Sequence, residues 1–198
     1  ELLQDNKLTQ QIRSAIIKRV LDMLDKLAQD QPEKFANFWR EFGQVFKEGL
    51  TEDYAHRERI SKLLRFASTK SEGAEQSVSL ADYLGRLRPN QAAIYYITAE
   101  SHLAARNSPH LEAFRAKDVE VLLASDRIDE WALSYLHEFD GKPFVSVAKG
   151  DIDLSNIPDG EGVSAPPSAK LPEGLADRLK AVLGDRVKAV RGSARLRD

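Results

Sequence analysis

Apolar residues recur at helical spacing near the start of the chain. One series repeats every four positions and predicts an amphipathic helix over residues 5–28: Ile12, Ile16, Val20 and Leu24. Leu21 and Leu27 widen this stripe, while most basic residues of the segment lie off it. We therefore expect the stripe to face the protein core and the basic residues to face water.

A second apolar series is dominated by aromatic residues. It predicts a helix that starts near Pro32 and ends at Gly49, with a broad apolar face inside the core: Phe35, Phe38, Trp39, Phe42, Val45 and Phe46. Thr51 can cap a third helix, whose apolar positions again repeat at near-helical spacing. The pattern thus predicts a layer of three helices over residues 1–66.

Beyond this layer, helical spacing alternates with short β-prone runs. Ser79 and Asp82 resemble a capping box, and Ser108 followed by Pro109 is typical of a helix start. Continuous apolar runs predict three strands, with a helix over residues 128–138 before the last of them: 92–98, 119–123 and 144–148. This alternation predicts a small parallel sheet with helices around it.

The last quarter of the chain changes in composition. Residues 151–174 are rich in Pro, Gly, Ser and Asp, which predicts a linker and a domain boundary. A helix over residues 175–183 ended by Gly184 and a strand over 186–196 should follow. One helix and one strand cannot bury a core, so we expect the start of a further domain. The chain also opens on Glu1 rather than methionine, which indicates a piece of a longer protein.

Composition excludes several classes of protein. Apolar residues make up 42% of the 198 residues and charged residues 30%, which is incompatible with a disordered chain. With 29 basic and 31 acidic residues, the net charge of -2 does not indicate a general binder of nucleic acid or membrane surfaces. Cysteine is absent, which excludes disulfides and thiolate chemistry and fits a cytosolic protein.

Few motifs point to catalysis or metal binding. No glycine-rich phosphate loop follows any predicted strand, which argues against a nucleotide site within this chain. The four histidines form no metal-binding pair, which favours surface or packing roles. Residues 151–156 begin like a calcium loop but lack the glycine at its sixth position and the acid at its twelfth. A solvated linker is the better interpretation.

Acidic residues and one tryptophan crowd the start of the predicted helix 128–138. Asp126, Asp129 and Glu130 would interact favourably with the helix dipole, and no nearby base or nucleophile indicates acid–base catalysis. The pattern favours core packing for Trp131. The alternative is an amphipathic contact with a partner, because tryptophan is enriched at such contacts.

Strings spread over nearly the whole chain occur together in one order: Glu1-Leu2-Leu3-Gln4, Phe46-Lys47-Glu48-Gly49, Leu63-Leu64-Arg65-Phe66, Gln91, Ile94-Tyr95-Tyr96-Ile97-Thr98, Glu120-Val121-Leu122 and Ile128-Asp129-Glu130. Together they resemble the middle domain of the heat-shock protein 90 chaperones, called high-temperature protein G in bacteria. Trp131 and the string from Gly141 to Phe144 are similar to the bacterial branch of that family.

The resemblance implies a mixed α/β fold in several parts. A helical connector of three helices would cover residues 1–66, and a small α/β/α sandwich would cover 67–150. A linker over 151–174 would lead to a truncated α+β segment over 175–198, the start of the C-terminal dimerisation domain. The nucleotide-binding domain of the family would lie upstream of this chain.

The resemblance also implies site residues. Gln4 matches a glutamine that approaches the γ-phosphate of ATP when the family's domains close, and its partner arginine would lie just before Glu1. Glu130, Trp131 and Ser134 match a region of the bacterial proteins that contacts client polypeptide. Ser134 stands where the family pattern has an asparagine. No metal ligand is implied.

The implied function is that of a fragment of an ATP-dependent chaperone, which binds non-native client proteins and couples the ATPase domain to the dimerisation domain. ATP and magnesium would belong to the parent, so this piece alone is not expected to be an enzyme. Expected partners are clients, co-chaperones such as the bacterial heat-shock protein 70 system and a second copy of the parent. The setting would be the cytoplasm, without nucleic acid or membrane. Two alternatives remain: a small α/β enzyme domain and a purely structural spacer.

Overall fold

A six-stranded mixed sheet forms the centre of the protein. The computed structural model describes residues 7–149, 152–160, 174–184 and 187. The strands are short: β1 Arg65–Ser68, β2 Val78–Ser79, β3 Ile94–Thr98, β4 Leu122–Ala124, β5 Glu138–Phe139 and β6 Lys142–Ser146. Their order in the sheet is β2-β1-β4-β3-β6-β5. β3 is parallel to both β4 and β6, while β1, β2 and β5 are antiparallel to their neighbours.

Helices cover both faces of this sheet. Their bounds are α1 Lys7–Asp30, α2 Pro32–Glu52, α3 Arg57–Leu63, α4 Leu80–Gly85, α5 His102–Arg106, α6 Glu112–Ala116, α7 Asp129–Ser134 and α8 Leu175–Leu183. Two short 3₁₀ helices, Tyr54–His56 and Pro109–Leu111, precede α3 and α6. The capping box at Ser79 and the cap at Ser108 are both confirmed.

Alternate side chains of β3 enter two separate cores. Ile94 lies in a core with residues of the α1–α3 layer, α4 and α7. Tyr95 and Ile97 point to the other face, where they pack with Phe114 of α6 and Leu111. A strand buried on both faces is typical of a sheet sandwiched between helices. The mixed α/β fold, with a helical layer followed by an α/β/α sandwich, is therefore confirmed.

The sheet differs from the three-stranded parallel sheet that the sequence predicts. β1, β2 and β5 are additional strands of two to four residues, too short to show an apolar period. The helix predicted over 128–138 ends at Ser134, because Glu138 and Phe139 pair with β6. Asp140 and Gly141, with φ of 49° and 72°, make the tight turn between these two strands.

The predicted end of α2 is wrong. Gly49 lies inside the helix, which continues to Glu52, and the Thr51 hydroxyl donates to the carbonyl of Glu48 instead of capping α3. A Cβ at Gly49 would lie 3.1 Å from the Ile60 side chain. The glycine therefore allows α2 and α3 to approach closely. Asp53 caps the 3₁₀ helix Tyr54–His56 that precedes α3, since its side chain accepts from the backbone N–H of His56. The N-terminus of α3 itself, at His56, has no side-chain cap.

The predicted buried stripe of α1 is only partly correct. Ile12, Ile16 and Val20 are exposed, whereas Leu21 and Leu24 are buried against α2 and α3. Asp22 and Asp25 lie on the same side of α1 and accept hydrogen bonds from Arg59 of α3 at 2.7 and 2.6 Å. The packed face of α1 thus lies about a quarter turn from the one that the four-residue spacing indicates.

Part of the predicted linker packs against the sandwich. Within 152–160, Leu154 and Ile157 are buried in the second core, and Gly160 donates its backbone N–H to the carbonyl of Ala116. α8 matches the predicted helix and ends at Gly184, where φ is 53°. The strand predicted over 186–196 lies outside the described residues apart from Val187. The domain boundaries remain predictions.

Candidate functional site

The short helix α7 presents three of the predicted site residues on one exposed side. Glu130, Trp131 and Ser134 are all exposed, and Trp131 keeps 48% of its surface. Asp129, Ala132 and Leu133 form the opposite, buried side of the helix. These buried positions follow the i, i+3, i+4 spacing of a helix face, and Trp131 lies outside that series. The core-packing prediction for Trp131 is therefore wrong.

Trp131 has contacts to two residues near the end of α7. Its ring meets the ring of Tyr135 edge to face, with centroids 5.7 Å apart. The Ser134 hydroxyl donates to the carbonyl of Trp131 at 2.6 Å, so this hydroxyl is engaged with its own helix. The exposed ring of Trp131 thus has one ring neighbour, Tyr135, within the same stretch of chain. Gln4 lies outside the described residues.

A buried lysine anchors α7 to the helical layer. Lys47 of α2 and Asp129 are each about 1% exposed, and their Nζ and Oδ1 atoms are 2.6 Å apart. The same Nζ lies 2.8 Å from Oδ2 of Asp126, and it is 4.8 Å from the centre of the Phe66 ring. Two carboxylates and an aromatic face therefore surround one ammonium group. Removing Lys47 would leave two neighbouring carboxylates without a cation, which is costly.

Polar side chains extend this cluster towards solvent. Asp126 accepts from Nε2 of Gln76 at 3.0 Å and from Nε2 of Gln44 at 3.2 Å. The indole N–H of Trp39 donates to Oε1 of Gln76 at 2.9 Å. The backbone N–H of Asp126 donates to Oδ2 of Asp129 at 2.9 Å, which closes the turn before α7. The start of α7 is consequently fixed by hydrogen bonds on several sides.

The two carboxylates of this cluster differ in acidity. Burial raises the pKa of Asp129, and the attraction of Lys47 offsets this only in part. Burial also works against ionisation of Asp126, but Lys47 and the two glutamine amides outweigh it and hold the pKa of Asp126 below its usual value. The less buried Asp126 is therefore the more strongly stabilised anion of the pair.

The sequence pattern identified the acids but not their partner. Asp126 and Asp129 were expected to stabilise a helix dipole, and the role of Lys47 was missed. A signal exists in the sequence, since Lys47 continues the four-residue spacing of Phe35, Trp39 and Gly43, all buried on one side of α2. A lysine on an apolar stripe requires a buried partner.

The described part of the chain lacks both a cluster of side chains that could hold a metal ion and a helix that could cross a membrane. Among its residues, no group of three or more His, Asp or Glu side chains could hold a metal ion. Within the same residues, every helix is too short or too polar to cross a membrane. What the arrangement provides is an aromatic group fixed at the surface by a buried ionic anchor.

Comparison with known proteins decides the family. The family model described as Hsp90 protein matches residues 1–198. The chain belongs to the Hsp90 family. It is 56% identical over its whole length to the chaperone protein HtpG of Actinobacillus succinogenes and 54% identical to that of Pasteurella multocida. It spans about a third of these relatives, 32% and 31% of their lengths.

A solved structure places the chain within the Hsp90 architecture. It is similar, with a TM-score of 0.68 and 30% identity, to the middle domain of a putative heat shock protein of Plasmodium falciparum. The match covers 74% of this chain and 61% of that one. The described fold is therefore that of an Hsp90 middle domain, as the quoted strings indicated.

Proposed function

We propose that this chain is the part of an Hsp90 chaperone that binds non-native client proteins through the exposed side of α7. The observation that carries the proposal is a half-exposed tryptophan on a helix anchored by a buried lysine. A large amphipathic ring at the surface provides apolar contact area, and the helix that carries it is already held in place by the buried Lys47–Asp129 pair. Glu130 and Ser134 lie beside it, where the Glu130 carboxylate and the oxygen of the Ser134 hydroxyl can accept hydrogen bonds from a client.

Weak individual contacts suit this function. The apolar surface of one exposed ring supports only transient binding of an apolar client segment. A dimeric parent would present two such surfaces, and linking them raises the overall affinity without new contacts. We therefore propose that client binding depends on a second copy of the parent, and that co-chaperones such as the heat-shock protein 70 system cooperate with it in the cytoplasm.

The anchor also offers a route for coupling between domains. α2 belongs to the helical layer, and Lys47 joins it rigidly to α7. A rotation of the helical layer would therefore move the client surface with it. We propose that ATP and magnesium bound in an upstream domain drive such a rotation, and that Gln4 approaches the nucleotide. These residues alone would then turn over no ATP and need neither nucleic acid nor membrane.

The test is a substitution in the full-length parent chaperone. Trp131→Ala should weaken suppression of aggregation of a chemically unfolded client enzyme, with ATPase activity and dimerisation unchanged. Leu103→Ala, which removes an exposed apolar side chain from α5, is the matched control and should have no effect. Unchanged suppression by Trp131→Ala would favour a structural spacer. ATP turnover by the isolated 198 residues would favour an enzyme domain.

A further inference from the structure

A row of exposed rings and one cation extends away from Trp131. Its edge-to-face neighbour Tyr135 lies next to Arg57, whose guanidinium carbon is 5.5 Å from the centre of the Tyr135 ring. The same guanidinium is 4.8 Å from the ring of Tyr54, which is 81% exposed. Each group in the row is thus within 6 Å of the next. We call Trp131, Tyr135, Arg57 and Tyr54 the aromatic strip.

A hydrogen bond from the Nε atom holds the Arg57 side chain in the strip. Nε donates to the carbonyl of Leu50 at 2.7 Å, which fixes the plane of the guanidinium between the two tyrosine rings. In the described part of the chain, no carboxylate forms an ion pair with Arg57. The terminal N–H groups, which suit a carboxylate in a two-pronged contact, therefore carry a charge that a partner could neutralise.

An open cavity of about 930 Å³ lies along the part of the strip formed by Tyr54, Arg57 and Tyr135, and Trp131 lies outside its wall. Tyr54, Arg57 and Tyr135 line one part of it, and Glu138 and Asp140 line another. Glu58, also in the wall, is paired with Lys62 at 3.0 Å. A carboxylate of a bound peptide is thus attracted by Arg57 and repelled by the carboxylates of Glu138 and Asp140. The charge distribution selects where in the cavity a carboxylate can sit.

We propose that the aromatic strip binds client segments in which one acidic residue lies among aromatic or large apolar residues. The carboxylate meets Arg57, and the flanking apolar side chains pack on Trp131, Tyr135 and Tyr54. An extended peptide advances about 3.3 Å per residue, so the strip accommodates roughly five residues. This inference rests on the proposed client-binding function. It adds which type of client sequence the site recognises.

Fluorescence anisotropy of labelled nine-residue peptides with the full-length chaperone tests the proposal. One peptide has a central Glu flanked by Phe and Leu, and two others carry Gln or Lys at that position. The Glu peptide should bind about two- to fivefold more tightly than the Gln peptide, the range expected of a partly exposed ion pair. Arg57→Gln should bring this ratio to about one, and Arg57→Glu should make the Lys peptide the preferred one.

Controls separate this inference from the proposed function. Arg57→Lys keeps the charge and should retain part of the preference, while Arg127→Gln removes an exposed arginine outside the strip and should retain all of it. Trp131→Ala should weaken the binding of all three peptides to a similar extent. Equal affinities for the Glu and Gln peptides, or a preference that survives Arg57→Gln, would overturn the proposed recognition of an acidic residue by the strip. This holds even if Trp131→Ala abolishes binding. Unchanged binding in Trp131→Ala would instead overturn the client site itself.

Discussion

The Nζ atom of Lys47 lies 2.6 Å from Oδ1 of Asp129, and both side chains are about 1% exposed. The two residues are 82 positions apart and join the helical layer to α7. Such a pair adds little stability relative to well-packed apolar residues, but its disruption is costly because one charge is left without a partner. Its contribution is to fix where α7 lies.

Lys47→Met should therefore destabilise the protein strongly. The substitution leaves Asp126 and Asp129 close together without a cation, and we expect the free energy of unfolding to fall by about 3–5 kcal/mol. Urea denaturation followed by circular dichroism measures this. Lys62→Met removes an exposed lysine paired with Glu58 and should cost less than about 1 kcal/mol. Equal costs for the two variants would contradict the anchoring role of Lys47.

Tyr83 is a second buried link, between α4 and the sheet. Its hydroxyl donates to the carbonyl of Glu120 at 2.8 Å and accepts from Nε2 of Gln91 and the backbone N–H of Tyr95, each at 3.0 Å. Burial raises the pKa of Tyr83, so the hydroxyl stays neutral and keeps its proton for donation. One oxygen therefore satisfies groups from three segments of the chain.

Tyr83→Phe should cost about 1–3 kcal/mol, because Gln91 and the backbone N–H of Tyr95 lose a buried partner. Denaturant unfolding measures the change, and amide hydrogen exchange at Tyr95 should speed up in the variant. Tyr54→Phe is the matched control, because Tyr54 is largely exposed and should change stability very little. A cost for Tyr83→Phe no larger than the control would show that water replaces the lost hydroxyl.

Elements with local signals were predictable from the sequence. The box of Ser79 and Asp82, the start at Ser108 and the end at Gly184 each depend on neighbours within four residues. The run around Ile94 was long and apolar enough to indicate a strand buried on both faces. β1, β2 and β5 could not be found in this way, because two to four residues become a strand only through pairing with distant segments.

The candidate site was predictable only through the family resemblance. Glu130, Trp131 and Ser134 carry no pattern that separates a surface from a core, and the apolar spacing placed Trp131 inside a longer helix. The helix ends at Ser134 because the following residues enter β5, a non-local cause. Lys47 and its acids meet only after folding, and so do Arg57 and Tyr135.

The capping box of α4 predicts a dependence of stability on pH. The Ser79 hydroxyl donates to Oδ2 of Asp82 at 2.6 Å and, with the backbone N–H of Ser79, lowers the pKa of Asp82. A carboxyl whose pKa is lower in the folded state adds stability above its unfolded pKa, about 3.9. That contribution is lost as the pH falls through the lower, folded value.

Asp82→Asn should remove this pH-dependent part of the stability. Between pH 7 and pH 2, the wild-type chain should lose more unfolding free energy than Asp82→Asn, as measured by urea titrations at each pH. Ser79→Ala removes the donor to the carboxylate and should flatten the profile in the same direction, while lowering stability at pH 7 by about 1 kcal/mol through loss of the cap. If the unfolding free energies of wild type and Asp82→Asn changed equally with pH, Asp82 would not be a source of the pH dependence.

Gly43 allows Trp39 to lie flat against α2. A Cβ at position 43 would be 2.9 Å from Cε2 of the Trp39 ring and 3.1 Å from its Nε1. The ring cannot easily move aside, since it is 4% exposed and its N–H donates to Gln76. Helix propensity alone favours Ala over Gly by about 1 kcal/mol, whereas overpacking a core costs about 1–3 kcal/mol.

Gly43→Ala should therefore lower the unfolding free energy, although the same change in an open helix position raises it. Gly85, in the last turn of α4, has no atom within 4 Å of an added Cβ, and Gly85→Ala should be neutral or stabilising by up to about 1 kcal/mol. Thermal and urea unfolding of both variants compare the two sites. Since Trp39 donates to Gln76, which in turn donates to Asp126, Gly43→Ala should also change the fluorescence of Trp39. A stabilising Gly43→Ala with unchanged fluorescence would mean that the ring does not limit the space beside this helix.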